Sequence, residues 1–198
     1  MHSLNDIIKE IEKYAKKEMV SDILHGWPHV ERVLKYALIV NEEMQGNWDI
    51  IKSAILLHDI GHKLKRENHN ELSAQIAEKL LIEKSIQKSI INNVKKCILT
   101  HSRQFAHQKP SSIEAKVVFD ADGMDLFGPI GLMRALLSCA QRNKGLECMI
   151  KKMEWRLAQK PYFFSKTAKK FVTENVTIIE KYLRDLNNQI QLIESYKV

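Results

Sequence analysis

The stretch Ala54-Ile55-Leu56-Leu57-His58-Asp59-Ile60-Gly61-His62 is an apolar helical run that ends abruptly in an imidazole, a carboxylate and a glycine. An apolar helix end has no need of that cluster. Adjacent residues diverge by about 100° around a helix, so His58 and Asp59 can face one ion only at the helix end, where Gly61 lets the backbone turn away. The run belongs to a short helix from Trp48 to about Ile60, started by the break at Gly46-Asn47, with Ile51, Ala54, Ile55, Leu57 and His58 toward one side. Around it, seven Gly and four Pro in 198 residues leave little turn chemistry, and no alternating strand pattern is bounded by turn signals. The fold class expected is therefore all-α.

Ser3 is placed to cap a helix through about Glu18, with Leu4, Ile7, Ile8, Ile11, Tyr14 and Ala15 at the spacing of a buried stripe. Pro28 suits the first turn of a second helix reaching about Met44. Further helices are expected at about Asn70–Glu83, Ile86–His101, Ile113–Ala121, Gly123–Gln141 and Phe163–Tyr196, with irregular chain at Arg103–Ser112 and around Lys160-Pro161. The length suits one domain over 1–198, with a core at about 22–142 and C-terminal helices in 143–198. Val172, Val176, Ile179, Tyr182, Leu183, Leu186, Ile190 and Ile193 give the last helix an apolar stripe. Core packing is its expected destination and a second subunit the alternative, so monomer and homodimer both stay open.

The longest apolar runs, such as Ala54–Leu57 and Val117–Phe119, fall far short of the roughly 20 residues of a membrane-spanning helix. The charged N-terminus shows no export signal, so the cytoplasm is the default and no membrane partner is expected. Cys97, Cys139 and Cys148 are an odd number without CxxC spacing, which argues against a disulfide framework and a structural zinc site and for a reduced compartment. The 31 basic against 24 acidic residues leave a net charge of +7, which biases the chain toward anionic partners. With no dense basic tract and 7% aromatic residues, a phosphorylated small molecule is favoured over nucleic acid.

Two neighbouring ligands cannot hold a metal alone. His29, in His25-Gly26-Trp27-Pro28-His29-Val30-Glu31-Arg32-Val33, and Asp122, in Asp120-Ala121-Asp122-Gly123-Met124-Asp125, each interrupt an apolar context at a helix edge. Taken singly, His58 reads as a satisfied core histidine and Asp59 as a helix-end acid; taken together the four reverse that reading.

In order and context these residues resemble the HD-domain phosphohydrolases, whose pattern is H…HD…D spread over core helices. His29 in HGWPHVERV is similar to the first histidine, His58-Asp59 in LLHDIGH to the doublet, and Asp122 in FDADGMD to the final aspartate. The resemblance covers roughly Asp22 to Arg142, and its flanks are most similar to small stand-alone hydrolases of that superfamily, some of which act on nucleotides. It implies a divalent metal on His29, His58, Asp59 and Asp122, and His69 and His101 resemble the additional histidines of two-metal members, so a second metal is possible.

Two imidazoles and two carboxylates suit Mn, Fe, Co, Ni or Mg. Such a site implies attack of an activated water on phosphorus, with Asp59 as a ligand that also orients the water and His62 as a proton shuttle. Lys63 and His101 are candidates to neutralise substrate phosphate, and Asp125 to hydrogen-bond a sugar hydroxyl or a ligating histidine. Lys65 and Arg66 read as solvated charges, His2 and His107 as surface residues, and Trp27, Trp48 and Trp155 as packing. Arg134 reads as pairing with an acid at the core edge more readily than as reaching the cleft, and His25 as a helix-edge contact or a second layer behind the metal. The expected function is hydrolysis of a nucleotide or other small phosphorylated compound. The alternatives are a regulatory or ligand-binding module that keeps the metal without turnover, and a phosphodiesterase directed at nucleic acid.

Overall fold

A computed structural model of the chain describes residues 4–22, 24–65, 67–104 and 108–196, so Ser3, Arg66 and His107 lie outside it, as does His2. Among the described residues there is no strand, and the helices run α1 (Leu4–Glu18), α2 (Trp27–Met44), α3 (Trp48–Leu57), α4 (His69–Glu83), α5 (Lys88–Thr100), α6 (Ile113–Met124), α7 (Gly128–Ala140), α8 (Leu146–Ala158) and α9 (Lys166–Ser195). The all-α expectation holds. No helix among them is long and apolar enough to cross a membrane.

α3 is the central element. Asn47 caps it, its Oδ1 accepting from the backbone N–H groups of Asp49 at 3.0 Å and Ile50 at 3.3 Å. Seven of its residues, Ile50, Ile51, Ser53, Ala54, Ile55, Leu56 and Leu57, are buried, because α1, α2, α5 and α6 all pack around it. A helix covered on every side needs apolar residues all round, which is why this run lacks a polar face. It ends three residues earlier than the sequence suggests, at Leu57, leaving His58 and Asp59 at its C-terminal tip.

A short 3-10 turn, Ile60–Lys63, then reverses the chain into α4. The backbone N–H of Gly61 donates to Ser73 Oγ at 2.9 Å, and a Cβ on Gly61 would meet His69 O at 2.5 Å and both Leu72 Cβ and Ser73 N at 2.9 Å. Only a residue without a side chain lets the turn lie this close to the first turn of α4.

Three expectations need correction. The helix assigned to Ile113–Ala121 continues through Met124, and α7 begins at Gly128 rather than Gly123. Gly123 is needed for close approach, since a Cβ there would meet the Arg103 guanidinium, whereas Gly128 adopts a φ of +71° and Pro129 follows it at the start of α7. Secondly, α8 occupies a stretch to which periodicity assigned no helix. Only Met153 and Arg156 of α8 are buried, so its inward stripe carries an arginine and the apolar signal is broken.

Thirdly, Cys139 of α7 and Cys148 of α8 form a disulfide, with Cα atoms 6.0 Å apart, where the odd cysteine count argued for none. The turn between the two helices folds α8 back onto α7, so the pair meets without any CxxC spacing; Cys97 stays free and buried in α5.

α9 is anchored where Asp120 of α6 accepts from the backbone N–H groups of Phe164 and Ser165 and from Ser165 Oγ, while Ser165 Oγ caps the helix by accepting from Ala168 N at 3.1 Å. Val172, Val176, Ile179 and Leu183 reach the core as expected, but Ile193 at the far end of the stripe is exposed.

Gly61→Ala is expected to cost about 1–3 kcal/mol by overpacking the turn against α4, which lowers the melting temperature by roughly 2–10 °C in a chain of this size. Thermal melts followed by circular dichroism check it, and an unchanged melt would mean that the turn has room the geometry does not show.

Candidate metal centre

The candidate residues sit at helix ends. His29 lies in the first turn of α2, His58 caps α3, His69 opens α4, His101 follows α5, and Asp122 lies in the last turn of α6. Two imidazoles are held alike: His58 Nδ1 lies 2.7 Å from Ile55 O and His101 Nδ1 lies 2.6 Å from Ile98 O, each bonded to the carbonyl three residues back. Nδ1 therefore carries the proton, and Nε2 presents its lone pair inward.

Those lone pairs converge on Asp59. Its Oδ2 lies 3.4 Å from His58 Nε2, 3.7 Å from His29 Nε2 and 3.2 Å from His25 Nδ1. Its Oδ1 lies 3.4 Å from His62 Nε2, 3.6 Å from His69 Nε2 and 3.4 Å from His101 Nε2. Asp122 Oδ1 stands 3.3 Å from His29 Nε2 on the first side. One carboxylate thus faces two sets of nitrogens. His69 is close despite the short interval from Asp59, because the turn over Gly61 returns the chain directly to α4.

Asp125, fully buried, orients this array rather than facing the cleft. Its Oδ2 lies 2.7 Å from His29 Nδ1 and accepts from Arg134 Nη1 at 2.7 Å, while Arg32 donates to both oxygens at 2.7 and 2.9 Å. The carboxylate fixes the proton of His29 on Nδ1, turning Nε2 toward Asp59 and Asp122. Of the two roles the sequence offered Asp125, the contact with a histidine is the one present; no sugar hydroxyl could reach a group so enclosed.

The electrostatics test whether these residues fit a cation. His29 Nε2 and His58 Nε2 lie 3.3 Å apart, and His69 Nε2 and His101 Nε2 lie 3.2 Å apart. Two nitrogen lone pairs at such a distance repel unless a positive charge lies between them. Burial pulls the His58 pKa down to about 4, so its imidazole stays neutral. For His29, burial and Arg134 oppose protonation, but hydrogen bonds that it donates to Asp122 and Asp125 raise its pKa. For His101, burial likewise opposes, and Asp59 raises it. Burial alone would raise the carboxyl pKa values of Asp59 and Asp122, yet the surrounding imidazoles hold both well below the usual range. Ionised carboxylates among imidazoles that give up their protons to a cation, with no thiolate, form a donor set that suits a borderline-to-hard divalent cation.

The remaining sequence candidates divide. His62 stands in the array, its ring stacked between those of His25 and His69 at 4.1 and 4.0 Å, so it is not detached from the donor set as a lone shuttle would be. Lys63 is not brought to the cleft: its Nζ pairs with Glu18 Oε2 at 3.2 Å, because the 3-10 turn points it outward over α1, and Lys65 is exposed. Trp27 packs, with Lys16 Nζ over its ring at 4.3 Å. Trp155 is half-buried and lines the cleft, contrary to its expected place in the core. The cleft wall also includes Arg103, Arg134, Lys152 and Arg156, of which the sequence marks only Arg134, and that as a core-edge partner. Arg134 does both, pairing with Asp125 and lining the cleft. The others belong to α8 or to the loop after α5, where no residue spacing ties a basic side chain to a distant site.

Asp125→Asn keeps the shape of the side chain but removes the charge that orients His29. It is expected to weaken divalent-metal affinity about 10–100-fold, measured by competition with a chelating dye. In the unsubstituted protein, metal affinity is expected to fall as pH drops, because the cation must displace protons from His29 and His101, whose pKa values are raised, while His58 at about 4 has none to release. A flat affinity between pH 5.5 and 8 would contradict the assignment of these nitrogens.

The sequence model of the HD domain matches residues 26–126, just over half of the chain. YpgQ of Bacillus subtilis, an uncharacterized protein, is 30% identical over 125 residues, which are 62% of this chain and 60% of YpgQ. The crystal structure of YpgQ superposes with a TM-score of 0.77 at 23% identity, covering 96% of this chain and 98% of YpgQ. A further structure of YpgQ, in complex with ADP, gives 0.76 at 24% identity over 94% and 96% of the two chains. A structure from Lactobacillus plantarum gives 0.82 at 19% identity over 97% of this chain and 100% of that one, and an HD-superfamily hydrolase from Bacillus thuringiensis gives 0.73 at 22% identity over 96% and 99%. The structural likenesses share the fold, and the sequence match from Gly26 to Leu126 encloses His29, His58, Asp59 and Asp122: the chain belongs to the HD domain family.

Proposed function

We propose that this protein is a metal-dependent phosphohydrolase acting on a nucleotide or another small phosphorylated compound. The observation that carries the reading is the carboxylate of Asp59, whose two oxygens face separate groups of imidazoles in a cleft walled by guanidinium groups. His29, His58, Asp59 and Asp122 would hold one divalent cation, drawn from Mn, Fe, Co, Ni and Mg. The other oxygen of Asp59 with His69 and His101, and with His62 alongside, would hold a second. When bound, such ions acidify a water and draw charge from a phosphoryl oxygen.

The chain's own residues supply the rest. Asp125, Ile55 O and Ile98 O fix the protons of His29, His58 and His101 on Nδ1, so that three Nε2 atoms stay available without rearrangement. His62 Nε2, beside Asp59 Oδ1, is placed either to donate to the second cation or to take a proton from the reacting water; His25, the most open of the array, borders the cleft on the other side of His62. Arg134, bonded to Asp125 and lining the cleft, brings positive charge beside the array, where it favours an anionic ligand. The crystal structure of YpgQ with ADP supports a nucleotide as the compound, and the net charge of +7 supports an anionic one.

The test is hydrolysis, read as released phosphate or pyrophosphate and as nucleotide product by chromatography, of nucleoside mono-, di- and triphosphates, cyclic nucleotides and pyrophosphate, with Mn, Fe, Co, Ni and Mg in turn. Release from at least one compound is expected, lost on chelation and reduced at least about 100-fold in Asp59→Ala. Metal binding without release from any compound would support a regulatory module instead, and cleavage confined to oligonucleotides a nuclease.

A further inference from the structure

Arg156, in the inward stripe of α8, is 3% exposed. Its Nη1 donates to the carbonyl oxygens of Leu126, at 2.9 Å, and Gly131, and its Nε has no partner. No carboxylate of the described residues forms an ion pair with it. The one acid nearby, Asp125, already serves His29, Arg32 and Arg134, so its carboxylate is taken up by one imidazole and two guanidinium groups and makes no bond to Arg156. Burial, aided by Arg134, pulls Arg156 down to about 9, a direction that expresses an uncompensated buried cation. Arg134, itself 5% exposed, likewise keeps an Nε without a partner.

Both guanidinium groups line the cleft that His29, Asp59 and Asp122 line. Contacts tie Arg134 to the array, since His29 bonds Asp125 and Asp125 bonds Arg134, while Arg156 reaches the same wall through the carbonyl oxygens of Leu126 and Gly131. Lys152 and Trp155 also line a neighbouring surface depression with Arg142, Lys144 and Lys151, where Glu147 pairs with Lys151 at 2.6 Å and leaves a basic excess. Positive charge therefore extends outward from the metal centre, over α7 and α8.

We propose that Arg156, with Arg134, is a binding site for a phosphoryl group other than the one held at the metal centre, so that the preferred ligand carries at least two linked phosphoryl groups. The inference rests on the phosphohydrolase reading of the neighbouring centre and narrows its substrate to diphosphate-bearing compounds. A buried guanidinium without a counter-ion is costly, and an anion delivered by the ligand removes the cost. The planar fork matches phosphate oxygens, and the phosphate bonds replace no existing ion pair of Arg156. Arg156 lies outside the residues matched by the HD domain model, so this preference belongs to the C-terminal part of the chain rather than to the shared metal motif.

Calorimetry on the full-length protein loaded with Mn, using methylenediphosphonate and methylphosphonate as non-hydrolysed probes, reads the site without turnover. The unsubstituted protein is expected to prefer the diphosphonate at least about tenfold. Arg156→Gln should weaken the diphosphonate about tenfold and the monophosphonate less than about twofold, on the scale of one lost charge-assisted hydrogen bond. In chelator, residual diphosphonate binding should depend on Arg156 in the same way.

Equal weakening of both probes, or of neither, in a variant that melts as the unsubstituted protein does would overturn the proposal. Should Arg156→Gln melt far below it, Arg156→Lys is read in its place: a preference that falls several-fold supports the site, and an unchanged preference rejects it. Hydrolysis tests the other reading separately. Diphosphonate selectivity without turnover of any compound would remove the hydrolase and leave the site, and turnover without selectivity would do the reverse.

Discussion

Everything at the centre depends on one buried carboxylate shared by two groups of imidazoles. Asp59 is held ionised although burial opposes it, because nitrogens surround both of its oxygens, and those nitrogens are aimed by partners on their far sides. The arrangement needs helix ends from α2, α3, α4, α5 and α6 to meet at one point. That explains why α3 is apolar over Ala54–Leu57, why it stops at Leu57, and why the turn after it is so tight. With its imidazoles neutral, a donor set of this kind is an electrostatic conflict in its own right: ring nitrogens face each other at 3.2 and 3.3 Å. The scaffold of packed helices stabilises that conflict, and a cation would resolve it.

The fold class and the four residues proposed as the first ligand set were legible in the sequence because each leaves a local mark. His58-Asp59-Gly61 breaks an apolar run, and His29 and Asp122 interrupt apolar contexts at helix edges. His69 is harder to place from sequence, since it follows Asp59 by only ten residues; what closes the gap is the contact of Gly61 with α4, a tertiary fact. Asp125 could be placed beside Asp122 on one helical face, but only the fold shows that it bonds His29 and two arginines. Lys63 illustrates the opposite failure, a residue close in sequence that a 3-10 turn carries away to Glu18.

The C-terminal part was less legible, for a reason rooted in its chemistry. Periodicity finds helices by their apolar stripe, and α8 buries an arginine where that stripe would continue. The disulfide that ties α8 to α7 was hidden by the same logic, since cysteine spacing says nothing about two helices that fold back on each other. The depression beside the metal centre was therefore invisible from local pattern, even though the net charge hinted that some anion had to be answered.

That failure is itself informative. An apolar residue at position 156 would complete the stripe of α8 and spare the chain a buried guanidinium bonded only to carbonyl groups, so packing alone gives no reason for arginine there. Sequences depart from local consistency mainly where function asks for it. Asp125 fits the same rule in reverse: its charge is fully used by His29, Arg32 and Arg134, and it leaves Arg156 with nothing. Had the chain been arranged only for stability, a second acid near Arg156 would be the simplest repair. Its absence among the described residues is consistent with a wall whose missing negative charge comes from the ligand, which would couple the occupancy of the cleft to the integrity of the α7–α8 pair.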